Sequence, residues 1–336
     1  MSVPTPAAPG RRTSRLQAAP LIQRYGVLLA LGLLVLFGAL RYEGFLSAYN
    51  VFTVLSYNSM FGLVALGMAF VIMTGGIDLS VGSVAAFASV VAAVLSPHGL
   101  WPALLGAVAA ATLLGLINGL VIAYLKILPF ITTLAMLLAA RGLALIFSNN
   151  QSVSADTDHG FTTFGQGNVG GVPYTAIVLF AAFLIGMVVL RLTRFGRHVL
   201  AVGGNEEAAR LMGLPVERTL VWVYVLSGAL AGLAGVILAS QFSAGQPTEG
   251  LGWELTAIAA VVVGGTLLTG GSGSVGSTLV GVLLLGIIFN ILNFENGRGT
   301  LTLSAYWQSV IRGAFLLVVV VLQNRLTRGP SVKEGS

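Results

Sequence analysis

TLVWVYVLSGALAGLAGVILA, residues 219–239, runs 21 residues without a charge. A helix rises ~1.5 Å per residue, so this run matches the ~30 Å hydrocarbon core of a bilayer. Just before it lies VGGNEEAARLMGLP, residues 202–215, and before that another apolar run, 174–190. The island between the runs carries Glu206, Glu207 and Arg210 and cannot sit in lipid.

The same alternation recurs along all 336 residues. The chain is 56% hydrophobic and 8% charged, against about 25% charged in soluble domains. Its mean hydropathy is +0.93. The apolar runs are continuous and do not alternate, so the sequence predicts an all-α, multi-pass membrane protein and not a β-barrel. About ten transmembrane helices are expected, near 26–44, 50–73, 80–96, 101–124, 130–148, 173–190, 218–240, 253–268, 275–294 and 304–323. The basic, Pro/Ala-rich residues 1–24 read as a disordered tail, followed by an uncleaved first span. Residues 326–336 form a second tail, and 25–325 the transmembrane domain.

Charge sets the orientation. With the N-terminus in the cytoplasm, thirteen basic residues lie inside (Arg11, Arg12, Arg15, Arg24, Lys126, Arg191, Arg194, Arg197, Arg210, Arg218, Arg325, Arg328, Lys333). Only Arg41 and Arg298 lie outside, so both termini and the 191–217 loop are expected inside. Loop 149–172 then lies outside, either as a plain surface or as a docking surface for an external partner. The net charge of +6 reads as this topology bias and not as affinity for nucleic acid.

Two echoes suggest an inverted repeat, a common transporter device. TGGIDLSVGS (74–83) resembles TGGSGSVGS (269–277), an offset of 195 residues. AARG (139–142) resembles VIRG (310–313), an offset of 312 − 141 = 171. The two offsets disagree.

Polar groups inside the bilayer are costly and mark candidate pathways. Asp78 follows Gly75 and Gly76, which can break a helix, and Ser80 can satisfy the freed backbone. Asp78 reads as a cap of the third span, a pathway lining, or both. Glu254 opens the eighth span, where an acid complements the helix dipole. Asn118 and Thr132, with Phe130 beside Pro129, can bond a polyhydroxylated solute or join helices. Arg141 and Arg312 are expected to pair with acids or carbonyls.

Catalytic readings fail on missing partners. GGSG (270–273) offers Ser272, but no histidine lies in an apolar run to act as its base. GGTLLTGGSGS lacks the lysine of a phosphate loop. There are no cysteines, hence no disulfides or thiolate metal sites. The chain reads as no enzyme.

The polar island predicts a short capped helix. Asn205 is its N-cap, Glu206 and Glu207 suit the first turn, and Ala208, Ala209 and Leu211 are strong helix formers. Gly213 is the left-handed stop, and Pro215 blocks continuation. Leu211 and Met212 give it an apolar side.

TRFGRHVLAVGGNEEAARLMGLPVERT resembles the cytoplasmic loop of permease subunits of ATP-binding-cassette (ABC) importers for ribose and related monosaccharides. GGIDLSVGS, LPFITTLAM, SAGQPTEGLGWELTAIAAVVVGGTLLTGGSGSVGSTLVG and YWQSVIRGAFLLVVVVLQ resemble the same family's motifs in the same order, over about 45–325. The resemblance implies a coupling helix at 205–213 that docks on a cytoplasmic ATPase, with Asn205, Glu206, Glu207, Ala209, Arg210, Leu211, Met212 and Gly213 in contact. It implies ATP and Mg on that partner and no cofactor here. It also implies an external solute-binding protein, a second permease copy or paralogue, a sugar substrate and a bacterial inner membrane. Gly75, Gly76, Asp78, Ser80, Asn118, Phe130, Thr132 and Glu254 are the expected path or gate. The stretch NFENGRGTLTLSAYWQSV is longer and more polar than expected of ribose permeases, closer to galactofuranose permeases. Alternative readings are a branched-chain amino-acid permease and an ion-coupled transporter using Asp78.

Overall fold

A computed structural model describes residues 15–297, with side chains from Gly26 onward, and six isolated positions between 307 and 317. Twelve helices are present among them: α1 (Arg15–Arg41), α2 (Ala48–Met73), α3 (Val81–Leu95), α4 (Leu100–Tyr124), α5 (Pro129–Phe147), α6 (Phe161–Gln166), α7 (Tyr174–Leu192), α8 (Arg194–Gly204), α9 (Glu206–Leu211), α10 (Val216–Phe242), α11 (Trp253–Val263) and α12 (Val275–Gly297). Seven helical segments are long and apolar enough to cross a membrane: α2, α4, α5, α7, α10, α12, and α3 with the turn that follows it. Residues 15–24, expected to be unstructured, belong to α1; Leu16, Gln17, Ala18 and Ala19 are good helix formers. The expected tenth span, 304–323, falls outside the described residues.

The expected eighth span does not cross. α11 has 11 residues, ~16 Å of helix. It stops where Gly265 turns left-handed (φ +88°), its N–H bonding the Val262 carbonyl and that of Thr266 the Val261 carbonyl. Residues 264–274 continue as non-helical backbone. The Gly271 N–H donates to the Met73 carbonyl at 3.0 Å.

α10 is the central helix, packed on α2, α3 and α4. It runs antiparallel to α2: Gln241 reaches Ser56 near one end (2.6 Å), and Gly67 lies against Ser227 further along. α2 and α10 each lead into a non-helical break (74–80 and 243–252), then a short helix (α3 and α11), then a long one (α4 and α12). The short helices begin back to back: a Cβ on Gly82 would overlap the Gly250 carbonyl. From there they diverge. α3 runs toward β1 (Val153–Ser154), which pairs antiparallel with β4 (Ala244–Gly245), and α11 runs toward α8.

The halves are thus arranged as an inverted repeat. Their matched helices start 216 − 48 = 168, 253 − 81 = 172 and 275 − 100 = 175 residues apart, so no single offset, of either echo, holds throughout.

Loop 149–172 is ordered. It holds β1, α6 and a further pair of short strands, β2 (Asn168–Val169) and β3 (Val172–Pro173), bonded to each other.

Candidate functional site

Glycine builds the first break. Gly75 is left-handed (φ +81°), its N–H bonding the Ile72 carbonyl and that of Gly76 the Val71 carbonyl. These bonds close α2 and turn the chain back between α3, α4 and α10. Gly76 has no room for a side chain, since the Tyr224 hydroxyl stands 2.6 Å from where its Cβ would lie.

The turn delivers Asp78 into the interior, 2% exposed. One carboxylate oxygen accepts from the Ser80 N–H (3.0 Å) and hydroxyl (2.6 Å); the other accepts from Ser227 on α10 (2.8 Å). Asn118 on α4 donates to the Ser80 hydroxyl (3.1 Å). Thr133 on α5 donates to the Ile77 carbonyl (3.2 Å). A lone buried carboxylate would be prohibitive; three donors make it tolerable. Asp78 does not cap the second or third N–H of α3. It fastens the break to α10. The sequence reading missed Ser227 and Tyr224, because a serine and a tyrosine in an apolar run look like packing.

Thr132 is buried, and its hydroxyl finds no partner; Asn118 likewise keeps a bare amide oxygen. Phe130, two residues before Thr132 and so on the opposite side of α5, is 54% exposed and points outward. It does not join the Asp78 cluster. Neither does Glu254, which begins α11 at the second break, beside Gly82. There Arg141 on α5 donates through Nη1 to the carbonyls of Pro247 and Glu249, the latter at 2.7 Å. The expected pathway residues therefore divide between two breaks that meet at Gly82 and Gly250.

A third set of residues lines a cavity of about 360 Å³ between α2, α11 and α12. Asn58, Thr256 and Asn290 face it, and the sequence reading named none of them. On α12 the lining residues Val282, Gly286 and Asn290 form a helical stripe, a spacing that could have flagged Asn290.

At the bundle end bearing α8, the polar island folds as its residues dictate. The Asn205 side chain accepts from the Ala208 N–H (2.8 Å), and Gly213 is left-handed (φ +77°). The helix itself, α9, is six residues long. Ala209 seats it in a small core with Ala123, Val202, Val216 and Leu220. Arg210 bonds Glu206 (2.9 Å) and Glu217; Lys126, just past α4, bonds Glu217 (3.2 Å). These carboxylates hold the Arg210 guanidinium above its ordinary pKa, so it stays charged. Leu211 and Met212 project outward, 83% and 70% exposed. Glu207 lies exposed beside them. α8 adds an amphipathic turn of chain that the sequence reading left as loop.

Among the described residues, no His, Asp and Glu side chains cluster as metal ligands. The family model described as "Branched-chain amino acid transport system / permease component" matches residues 50–320. The chain is 42% identical to the ribose import permease protein of Bacillus subtilis, over 90% of this chain and 94% of that one. It is 39% identical to the ribose import permease protein of Escherichia coli K12, over 89% and 92%. Against the L-arabinose transport system permease protein of the same strain it is again 39% identical, over 89% of each chain. No solved structure matches. The family description names amino acids, while the curated relatives name pentoses. Matched across most of its length, the chain belongs to the branched-chain amino acid transport system permease family.

Proposed function

We infer that this chain is the membrane permease of an ABC importer and forms the path for a neutral monosaccharide of the ribose or arabinose kind. The observation that carries the reading is α9. Two apolar side chains at its end, Leu211 and the C-cap Met212, stand exposed, on a helix otherwise tied down by ion pairs. Exposed apolar side chains at the rim of a charged surface suit a partner's cleft. The basic bias of this end places it in the cytoplasm, with a separate ATPase carrying ATP and Mg. The 149–172 end then faces an external binding protein. α5, whose Phe130, Ile131, Leu134 and Leu138 are exposed, fits the contact with a second permease.

Alternating access follows as a population shift: ATP on the partner favours one facing state, and the loaded binding protein favours the other. The ion-coupled alternative fares worse, because the Asp78 carboxylate is buried and already holds Ser80 and Ser227. The amino-acid alternative lacks support from the curated relatives.

The test uses the absence of native cysteine. Leu211→Cys in native membranes, treated with a thiol-to-amine crosslinker, should capture an ABC ATPase. Efficient labelling of Cys at this position with no ATPase captured refutes the assignment.

A further inference from the structure

The inverted repeat is not packed symmetrically. In the first half, α4 and α10 touch backbone to backbone. A Cβ on Gly119 would lie 2.8 Å from the Val221 Cα, one on Gly228 3.0 Å from the Gly115 Cα, and one on Gly232 3.1 Å from the Val108 Cα. In the second half the matching helices are α12 and α2. Asn290 and Asn50 bond each other across them (2.9 and 3.1 Å). Further along α2 stand two rings, Tyr57 and Phe61. They pack together with centroids 5.6 Å apart, and Phe61 rests on Trp253 at 4.8 Å. The second seam is propped open, and the cavity of about 360 Å³ is the result.

Resting on the function inferred above, we propose that this cavity is a monosaccharide-binding site within a single permease. Its size falls in the range of small-molecule sites. Among the described residues that line it none is charged: amides and hydroxyls (Asn58, Thr256, Asn293) stand with aromatic rings (Tyr57, Phe61, Phe289). A sugar ring has polar edges and an apolar C–H face, which matches that pairing. A zwitterionic amino acid would need buried counter-charges, which the lining does not offer. Access comes from a second cavity of about 430 Å³, which shares Thr53 and Tyr57 with the first. It opens beside Gln166 and Gln241, at the 149–172 end, and the Gln241 amide oxygen is buried without a partner.

The experiment is substrate protection in native membranes holding the whole transporter. Thr256→Cys and, separately, Asn293→Cys are reacted with a small hydrophilic methanethiosulfonate. Ala85→Cys, fully buried on α3 against α10, serves as control. Both cavity thiols should react, and the control should not. D-Ribose or L-arabinose should slow the cavity reactions saturably, about five-fold at about four times Kd, since protection scales as 1 + [L]/Kd. L-Leucine should not. No labelling, or labelling that no monosaccharide slows, overturns the site if Leu211→Cys still captures the ATPase. If that capture fails as well, the inferred function has failed first. Protection by leucine alone overturns the sugar assignment.

Discussion

The two breaks in the repeat are held in opposite ways. The 74–80 break is fastened from within: its own Asp78 reaches out to Ser227 and back to Ser80, all of them buried. The 243–252 break is fastened from outside. Arg141 crosses from α5 to hold two of its carbonyls, and Leu251 on its rim is 73% exposed. The first break thus rests mainly on one buried side chain, whereas the second spreads its hold over Arg141, Ser89, whose hydroxyl accepts from the Gln246 N–H (3.0 Å), and the β1–β4 pairing.

Breaking the internal joint should cost most. Asp78→Leu strands the Ser80 and Ser227 donors and should lower stability by about 3 kcal/mol or more, at 1–3 kcal/mol per orphaned group. Asp78→Asn retains an acceptor and should cost about 1 kcal/mol. Thermal melting in detergent separates the two. Equal melting of both variants would mean that the carboxylate fastens nothing.

Gly82→Leu drives a side chain into the Gly250 carbonyl, where the breaks meet. Overpacking of this kind costs about 1–3 kcal/mol. Transport should fall further than stability does, because both breaks are displaced together. Uptake and melting that decline in parallel would remove the junction's special standing.

Arg141→Ala should cost less in melting, about 1.5 kcal/mol, the low end for hydrogen bonds from a charged group. Hydrogen exchange should quicken in 246–250 and stay unchanged in 74–80. Equal quickening in both segments would erase the distinction between the joints.

Ser227→Ala should cost about as much, ~1.5 kcal/mol, for one donor lost to the Asp78 carboxylate. Its exchange signature should appear at 74–80 alone. A change centred on 243–252 would reverse the comparison.

Much of this was legible in the residues. The long runs announced α2, α4, α5, α7, α10 and α12, because no other structure satisfies twenty apolar residues in lipid. Asn205 and Gly213 bounded α9, because caps are local chemistry. The length of α11 was misread: composition carried the run to 268, while the Gly264–Gly265 stop lay in plain view. Ser227, Tyr224 and the Arg141 acceptors stayed hidden because each partner lies more than 100 residues away. The cavity stayed hidden for a further reason. It exists only where α2, α11 and α12 meet, three helices from distant stretches of the chain.

Gly203 sits where α8 meets the end of α2, and a Cβ there would overlap the Met73 carbonyl; the Gly271 N is only 2.6 Å from the same point. Three stretches of backbone thus bear directly on one another: α8, the start of the first break and the loop after α11. Side chains have rotamers that can take up slack; backbone on backbone has none. Moving α8 toward the other two would drive backbone into backbone.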